Sequence, residues 1–557
     1  MVCSRYKHFC VGKWNTGGSG MVKKIVLVWG ILTGLMFNTG LLQAQNTDPN
    51  DPGHPFRVNF GAVDVGLDPQ KSQTTIEAEV YTALYEGLVV YDPYSLRPEP
   101  GAASSWNTSS DGKTVTFHLR SGLKFSDGTP LTAQDFVNTW VRLLSPATQA
   151  PYASLLDMVK GAKAWREGKL TDRTRLGIQA KDAQTLVLTL QEPAPELFPI
   201  LCHYAFVPLD PHFLATGKGF PASNGPYLVL TRTPQRWDLI KNPLYWDHAN
   251  VKIPHLVFTF NDDAVKVTQE FKDGYYDWLA DGIDGNAILS DKLISAVPLF
   301  GTTFLYFRVA DKPWNNPVVR RALWLAAPLE ELRKPYIQPC TTLIPEFEGY
   351  PSPKIKSETN LAEAKKLLAQ AGYPLGKGLP PVTLALPEGS ESERLMALLK
   401  TAWTGLGLTV KEKQISGSYY DKIAKIPHTI GYFSWVGDYL DPTTFLLLWK
   451  KDSSLNSFGM ADPVYDNFLS KAALLTGEAR YKMLAKAEAY LLDNGLLLPL
   501  SHSPGFNLID RELVGGWYPN PLDIHPFKNL YWKPLQPWKN AVRFDFSPNI
   551  PYHNGHA

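Results

Sequence analysis

The chain has 557 residues, of which 44% are hydrophobic, 12% aromatic and 19% charged. That is the composition of a folded protein of two or three domains, not of a disordered or fibrous chain. The formal net charge is +2, and residues 1–44 hold Arg5, Lys7, Lys13, Lys23 and Lys24 without an acid, so the remainder carries −3. With no basic run in that remainder, a phosphate backbone has nothing to bind, which sets nucleic acid aside.

Met21-Val22-Lys23-Lys24 is a short basic start before a largely apolar stretch, Ile25 to Leu42, and Gln43-Ala44-Gln45 offers a cleavage site after Ala44. Residues 1–44 therefore read as a leader and cleaved signal peptide, with Met21 as the start and residues 1–20 as upstream read-through. Gly30, Thr33, Gly34, Asn38 and Gly40 interrupt the apolar run and make it a weak membrane span. No Cys follows its small-residue end, so a soluble periplasmic product is expected, not a lipid-anchored one. Of the four cysteines, Cys3 and Cys10 fall in the leader. Cys202 and Cys340 remain, either as a pair or as two separate buried thiols.

Beyond a polar start at Asn46-Thr47-Asp48-Pro49, alternation predicts a strand from Phe56 to Val63, and apolar residues at helical spacing run from Val80 to Leu88. Thr114–Leu119 alternates again and ends at the turn Ser126-Asp127-Gly128. Thr132 is the N-cap of a helix, with Asp135 three residues on and an apolar face of Phe136, Val137 and Trp140. Strands are expected near Leu186–Leu190 and Tyr227–Thr231. Asn360, with Glu363 at the third position, caps a helix that Gly372 stops, and Leu395–Leu406 reads as a second amphipathic helix. Val410–Ile415 and Ile430–Trp435 read as strands, Tyr465–Ala473 and Ala479–Leu492 as a helical pair, and residues 534–557 as a proline-rich tail. Alternating strands and helices argue for mixed α/β lobes.

The segment Ser434-Trp435-Val436-Gly437-Asp438-Tyr439-Leu440-Asp441-Pro442 sets an acid among large aromatics, then a turn. A carboxylate in such company is poorly solvated unless a cation meets it, so it reads as a socket for a positive ligand group. The enzyme motifs His-Glu-x-x-His, Gly-x-Ser-x-Gly, Gly-x-x-x-x-Gly-Lys-Ser/Thr and Cys-x-x-Cys are absent, and Asp441-Pro442 reads as a turn, not as half of a catalytic acid pair. No cofactor or catalytic residue is expected. The 12 His form no ligand-spaced cluster, so no metal site is expected either; His553-Asn554-Gly555-His556 lies in the tail.

The same segment resembles the ligand-anchoring string of the oligopeptide-binding receptors of peptide ABC transporters, extracellular solute-binding protein family 5. Further stretches carry the likeness in order: Leu67-Asp68-Pro69, Leu84-Tyr85-Glu86-Gly87-Leu88, Phe117-His118-Leu119-Arg120, Phe125 to Phe136, Pro151-Tyr152-Ala153-Ser154, Asn224-Gly225-Pro226-Tyr227, Asn242-Pro243 with Tyr245-Trp246, and Pro521-Leu522-Asp523 with Lys528-Asn529-Leu530-Tyr531. They span residues 56–533. The resemblance implies a two-lobed periplasmic binding protein-like α/β fold with an extra subdomain (class II, cluster C-like). Residues 45–85, 209–300 and 506–533 would form lobe I, 86–208 the extra subdomain and 301–505 lobe II.

What the resemblance implies of function is a periplasmic receptor that captures oligopeptides between its lobes and delivers them to an inner-membrane ABC permease with its ATPases, as a monomer. Asp438 would pair with the peptide amino terminus. Trp435, Val436, Gly437 and Tyr439 would flank it, with Gly437 allowing close ligand approach, and Tyr152 and Thr75 would line the cleft. Within the family the ligand could also be a dipeptide, an oligosaccharide, haem or a metal chelate, and a peptide-binding chaperone or sensor would use the same cleft. Two departures stand out. Tyr432 falls where the best-known members carry a base for the peptide carboxylate, leaving Lys422, Lys425 or His428 as substitutes. The cysteine often found after the Trp is Val436 or Gly437 here, so the family's cleft disulfide is absent.

Overall fold

Phe56, Val58 and Phe60 are all fully buried and start the first strand, β1 (Phe56–Phe60), which stops short of Val63 because Gly61 turns the chain at φ +67°. The computed structural model describes residues 54–354, 358–417 and 419–534; the expected signal peptide with its cleavage site, Cys3 and Cys10, and the tail beyond Pro534 lie outside the described residues. Helix α1 (Thr75–Leu84) begins five residues before the apolar spacing suggested. Thr74 and Glu77 close a capping box, and the extended backbone of Tyr85 ends the helix.

Strands β2 (Ala103–Thr108), β3 (Thr114–Leu119), β4 (Ile178–Ala180) and β5 (Thr185–Thr189) form a separate antiparallel sheet in the order β2-β3-β5-β4. Helix α2 (Ala133–Leu143) starts at Thr132 as expected, where the Asp135 carboxylate accepts from the Thr132 N–H at 2.7 Å and its hydroxyl at 2.8 Å.

The main sheet has ten strands. The first four after β1 are β6 (Tyr227–Arg232), β7 (Arg236–Lys241), β8 (His255–Thr259) and β9 (Trp278–Asp281). Then come β10 (Ile294–Phe307), helices α3 (Pro317–Ala326) and α4 (Leu361–Gln370), β11 (Val382–Pro387), α5 (Ser390–Thr404), β12 (Val410–Ile415), α6 (Tyr419–Ile423) and β13 (Ile430–Val436). Helices α7 (Pro463–Ala472) and α8 (Gly477–Asp493) precede β14 (Leu497–Ile509). The spatial order is β12-β11-β13-β10-β14-β9-β1-β8-β7-β6.

Two long central strands, β10 and β14, carry this sheet from one half to the other. They pair from Ile294↔Leu508 to Pro298↔Pro504, lose register, resume at Thr302↔His502 and Thr303↔Ser501, and shift once more before Phe304↔Pro499 to Tyr306↔Leu497. Their sequences contain Pro298, Gly301, Pro499, Pro504 and Gly505, which locally read as breakers, so neither was apparent as a strand. Leu305, Phe307, Leu323 and Trp403 centre an apolar core packed by α3, α4, α5 and β11. Phe56, Trp140, Trp278 and Trp449 belong to a larger one. Cys202 and Cys340 are separate thiols, and burial pushes the Cys340 thiol up to about 12.

Several of the scattered motifs meet at one buried acid. Glu86 accepts from the Tyr245 hydroxyl, from Trp246 Nε1–H at 2.6 Å and from Lys528 Nζ at 3.3 Å, while Asn224 bonds the Glu86 backbone at both N–H (3.1 Å) and C=O (2.7 Å). A second buried acid, Glu488, pairs with no cation among the described residues. It accepts the N–H groups of Leu343 (2.7 Å) and Ile344 (3.0 Å) and the Tyr350 hydroxyl (2.7 Å), and burial raises its pKa to about 7.

A carboxyl whose folded pKa lies above its unfolded one stabilises the fold below the unfolded value and loses that contribution as pH rises through the folded one. The melting temperature of the wild type is therefore expected to fall between about pH 4.5 and 7 relative to Glu488→Gln, measured by calorimetry across that range.

Candidate functional site

Strand β13 ends where the socket begins. Its Phe433 and Trp435 point to one face and stack at 5.9 Å, and Trp435 is 7% exposed. At Gly437 an added Cβ would lie 2.8 Å from the Phe300 ring and 2.9 Å from Thr444 Cγ2, so the requirement for glycine comes from protein packing. The Thr444 hydroxyl, 1% exposed as a residue, organises the turn: it accepts from Asp438 N–H at 3.0 Å and Trp435 Nε1–H at 3.4 Å and donates to Asp438 Oδ2 at 3.4 Å.

Chain from far away completes the surroundings of Asp438. Tyr91 donates its hydroxyl to the Asp438 carbonyl at 3.2 Å. His203 Nε2 lies 3.6 Å from Asp438 Oδ1. Its other ring nitrogen, Nδ1, accepts from Ala205 N–H at 3.2 Å, so the ring is a neutral imidazole with its proton on Nε2, facing the carboxylate. Tyr152 is buried beside the same carboxylate. Burial and then the Asp438 charge push its pKa well above the ordinary tyrosine range, so it remains a donor. Tyr152, His203 and Tyr204 pack as a cluster of rings, with His203 tilted at 4.3 Å from Tyr152 and 4.0 Å from Tyr204, and Tyr204 donates to the Ser72 carbonyl at 3.0 Å.

Of the residues singled out in the sequence, Asp438, Trp435, Val436, Gly437 and Tyr152 come together here. Tyr439 is fully enclosed, with its hydroxyl 3.2 Å from Thr443 Oγ1. Thr75 is the exposed first residue of α1, three residues past the Ser72 that Tyr204 holds. Lys422 Nζ donates to the Ser416 carbonyl at 2.6 Å, and His428 lies between the Ile426 carbonyl (2.7 Å) and the Tyr306 hydroxyl (3.0 Å). His203, Tyr204 and Tyr91 escaped the sequence reading because nothing local links them to residue 438.

The contrast with Asp441, three residues on, is chemical. Asp441 is gripped by Arg480 through two bonds, Nη1–Oδ2 at 2.6 Å and Nη2–Oδ1 at 2.9 Å. The two acid side chains are similarly buried, 9% exposed for Asp438 and 11% for Asp441. Among the described residues, no lysine or arginine pairs with Asp438. A separate open groove of about 700 Å³, lined in part by Glu346, Phe347, Glu348 and His502, has only exposed acids, and so lacks the desolvation that makes a charge selective.

Comparison with known proteins gives the family and the fold. Residues 97–457 match the family profile described as bacterial extracellular solute-binding proteins, family 5, middle region. The chain is 30% identical over 510 residues to the periplasmic oligopeptide-binding protein OppA of Escherichia coli K12, covering 85% of this chain and 91% of that protein. Among solved structures it resembles Haemophilus influenzae OppA in complex with the peptide RPPGFSPFR (TM-score 0.78, 27% identity, 87% and 100% of the two chains). It also resembles the E. coli murein tripeptide-binding protein MppA (TM-score 0.78, 28% identity, 86% and 98%), against a TM-score of 0.61 for the unliganded open form of MppA.

The tight seat of Gly437 makes Gly437→Ala a sensitive probe of this turn: a loss of about 1–3 kcal/mol in urea denaturation is expected, because the Phe300 ring and Thr444 must move to admit a methyl group.

Proposed function

We propose, since the chain belongs to family 5 of the bacterial extracellular solute-binding proteins, that it is a periplasmic receptor that captures peptides through their amino terminus and hands them to an inner-membrane ABC permease. The observation that carries this is that, among the described residues, no lysine or arginine pairs with Asp438. Enclosed as deeply as Asp441 but without a guanidinium, its carboxylate leaves the cation to come from the ligand, and a peptide ammonium supplies one. The edge of β13 beside it has no partner strand past Gly431, and its Val436 backbone offers sequence-independent pairing, as to an added strand. Tyr152 closes over the ammonium site, and Val436 contributes its backbone. Trp435 and Gly437 hold the turn in place.

Two features support the lobe assignment. The register break between Pro298 and Thr302 falls at the expected crossing between 300 and 301, and the opposite strand breaks near Pro504, close to 505 and 506. Such crossings serve as hinges for closure. The better overlay on peptide-bound OppA than on the open form of MppA is that of a closed arrangement.

Two measurements test the anchor. Native mass spectrometry of gently purified protein should release short peptides on denaturation; a released sugar, haem or metal chelate would overturn the ligand class. In calorimetric titration, Asp438→Asn should weaken peptide affinity by about 100-fold or more, the loss expected when one partner of an enclosed charge pair is removed, and acetylation of the peptide amino group should cost the wild type as much. Unchanged affinity in either case removes Asp438 from the role.

A further inference from the structure

Strand β13 has two edges. One pairs with β10 over its whole length, from Ile430↔Phe307 to Val436↔Gly301; the other pairs with β11 only at Ile430 and Gly431 and then diverges. Gly437 N–H donates to the Phe300 carbonyl at 2.7 Å, on the β10 side. An antiparallel ladder alternates, so the N–H and C=O groups of Tyr432, Ser434 and Val436 face the opposite edge, where a ligand strand would add.

Two of these three rungs are taken by adjacent tyrosines of α6. Tyr432 N–H donates to the Tyr419 hydroxyl at 2.9 Å, and that hydroxyl donates to the Ala385 carbonyl of β11 at 2.9 Å, bridging the two strands where they part. Ser434 N–H donates to the Tyr420 hydroxyl at 3.2 Å, which reaches back to the Ser434 carbonyl at 3.5 Å. The Tyr420 ring stands edge-on against Phe433 at 5.4 Å and is 42% exposed, on the surface a ligand would cross. The rung that remains is Val436, beside Asp438.

We propose that Tyr420 sets ligand length, restricting strand-like binding to peptides of two or three residues. The inference rests on the reading of Asp438 as the amino-group anchor. An ammonium held at Asp438, past the C-terminal end of β13, makes an extended ligand run antiparallel to that strand. Its first or second residue then pairs with Val436. Two residues on, roughly 7 Å along the strand, the third or fourth meets Ser434 with Tyr420 already bonded to it. A longer peptide must displace that tyrosine or leave the edge.

The test uses ligand-stripped protein offered an equimolar mixture of peptide pools two to six residues long, randomised in sequence, with the captured peptides sized by mass spectrometry. The wild type is expected to enrich di- and tripeptides at least tenfold over penta- and hexapeptides, and Tyr420→Ala to reduce that enrichment below threefold while still capturing short peptides. If the alanine variant fails to fold, Tyr420→Phe, which keeps the ring and releases Ser434, is expected to lower the enrichment at least threefold. Equal capture of all lengths by the wild type, or the same enrichment in the variant, overturns the length assignment while leaving the anchor standing. Capture of no peptide at any length instead overturns the reading of Asp438 on which it rests.

Discussion

A carboxylate taken out of water must be matched, and this protein meets that constraint in four ways. Glu86 keeps a lysine and two aromatic donors and so gathers distant segments of the first half of the chain with Lys528 near the end of the described residues. Asp441 takes a guanidinium in a two-point grip. Glu488 has backbone N–H groups and a tyrosine, and carries its proton up to about pH 7. Asp438 alone of the four is surrounded by a threonine, a tyrosine and a neutral imidazole. The first three solutions are architectural; the fourth leaves a charge that no lysine or arginine among the described residues meets.

What places that charge is the route of the central strands. β10 supplies the Phe300 ring that fixes Gly437 and the carbonyl that holds its N–H, while β13 ends at the acid. The register of β10 with β14 breaks at the same level, so Asp438 stands where the sheet changes from one half to the other. Tyr152 and His203, brought from the region of the four-stranded sheet, close over it. The site is thus assembled from three stretches of chain that share no local sequence signal, held by contacts whose own residues are mostly core.

Two helices were legible from caps spelled out locally, while the equally local Thr74–Glu77 box of α1 was passed over. Thr132 with Asp135 and Asn360 with Glu363 mark their starts to the residue, because a side chain that bonds a backbone N–H three positions on is a short-range interaction. Helix α1 was displaced toward its C-terminus because its apolar spacing continues past the point where Tyr85 turns extended. The long strands β10 and β14 were opaque, since their prolines and glycines sit at register breaks that only the partner strand explains. Asp438 stood out through its aromatic neighbours. Thr444, six residues on, serves it by a turn that the sequence does not announce, and His203 does so by a contact 235 residues apart in the chain.

The neutral company of Asp438 also bears on how a captured ligand leaves. The Asp438 carboxylate accepts from the Thr444 hydroxyl and has the Tyr152 and His203 side chains beside it, so polar groups of the protein partly solvate it. With Asp438 as the proposed anchor, capture would exchange dipoles for a charge, and departure would exchange them back. Such an anchor would favour turnover over tenacity, selecting an ammonium without setting a trap from which cargo must be forced.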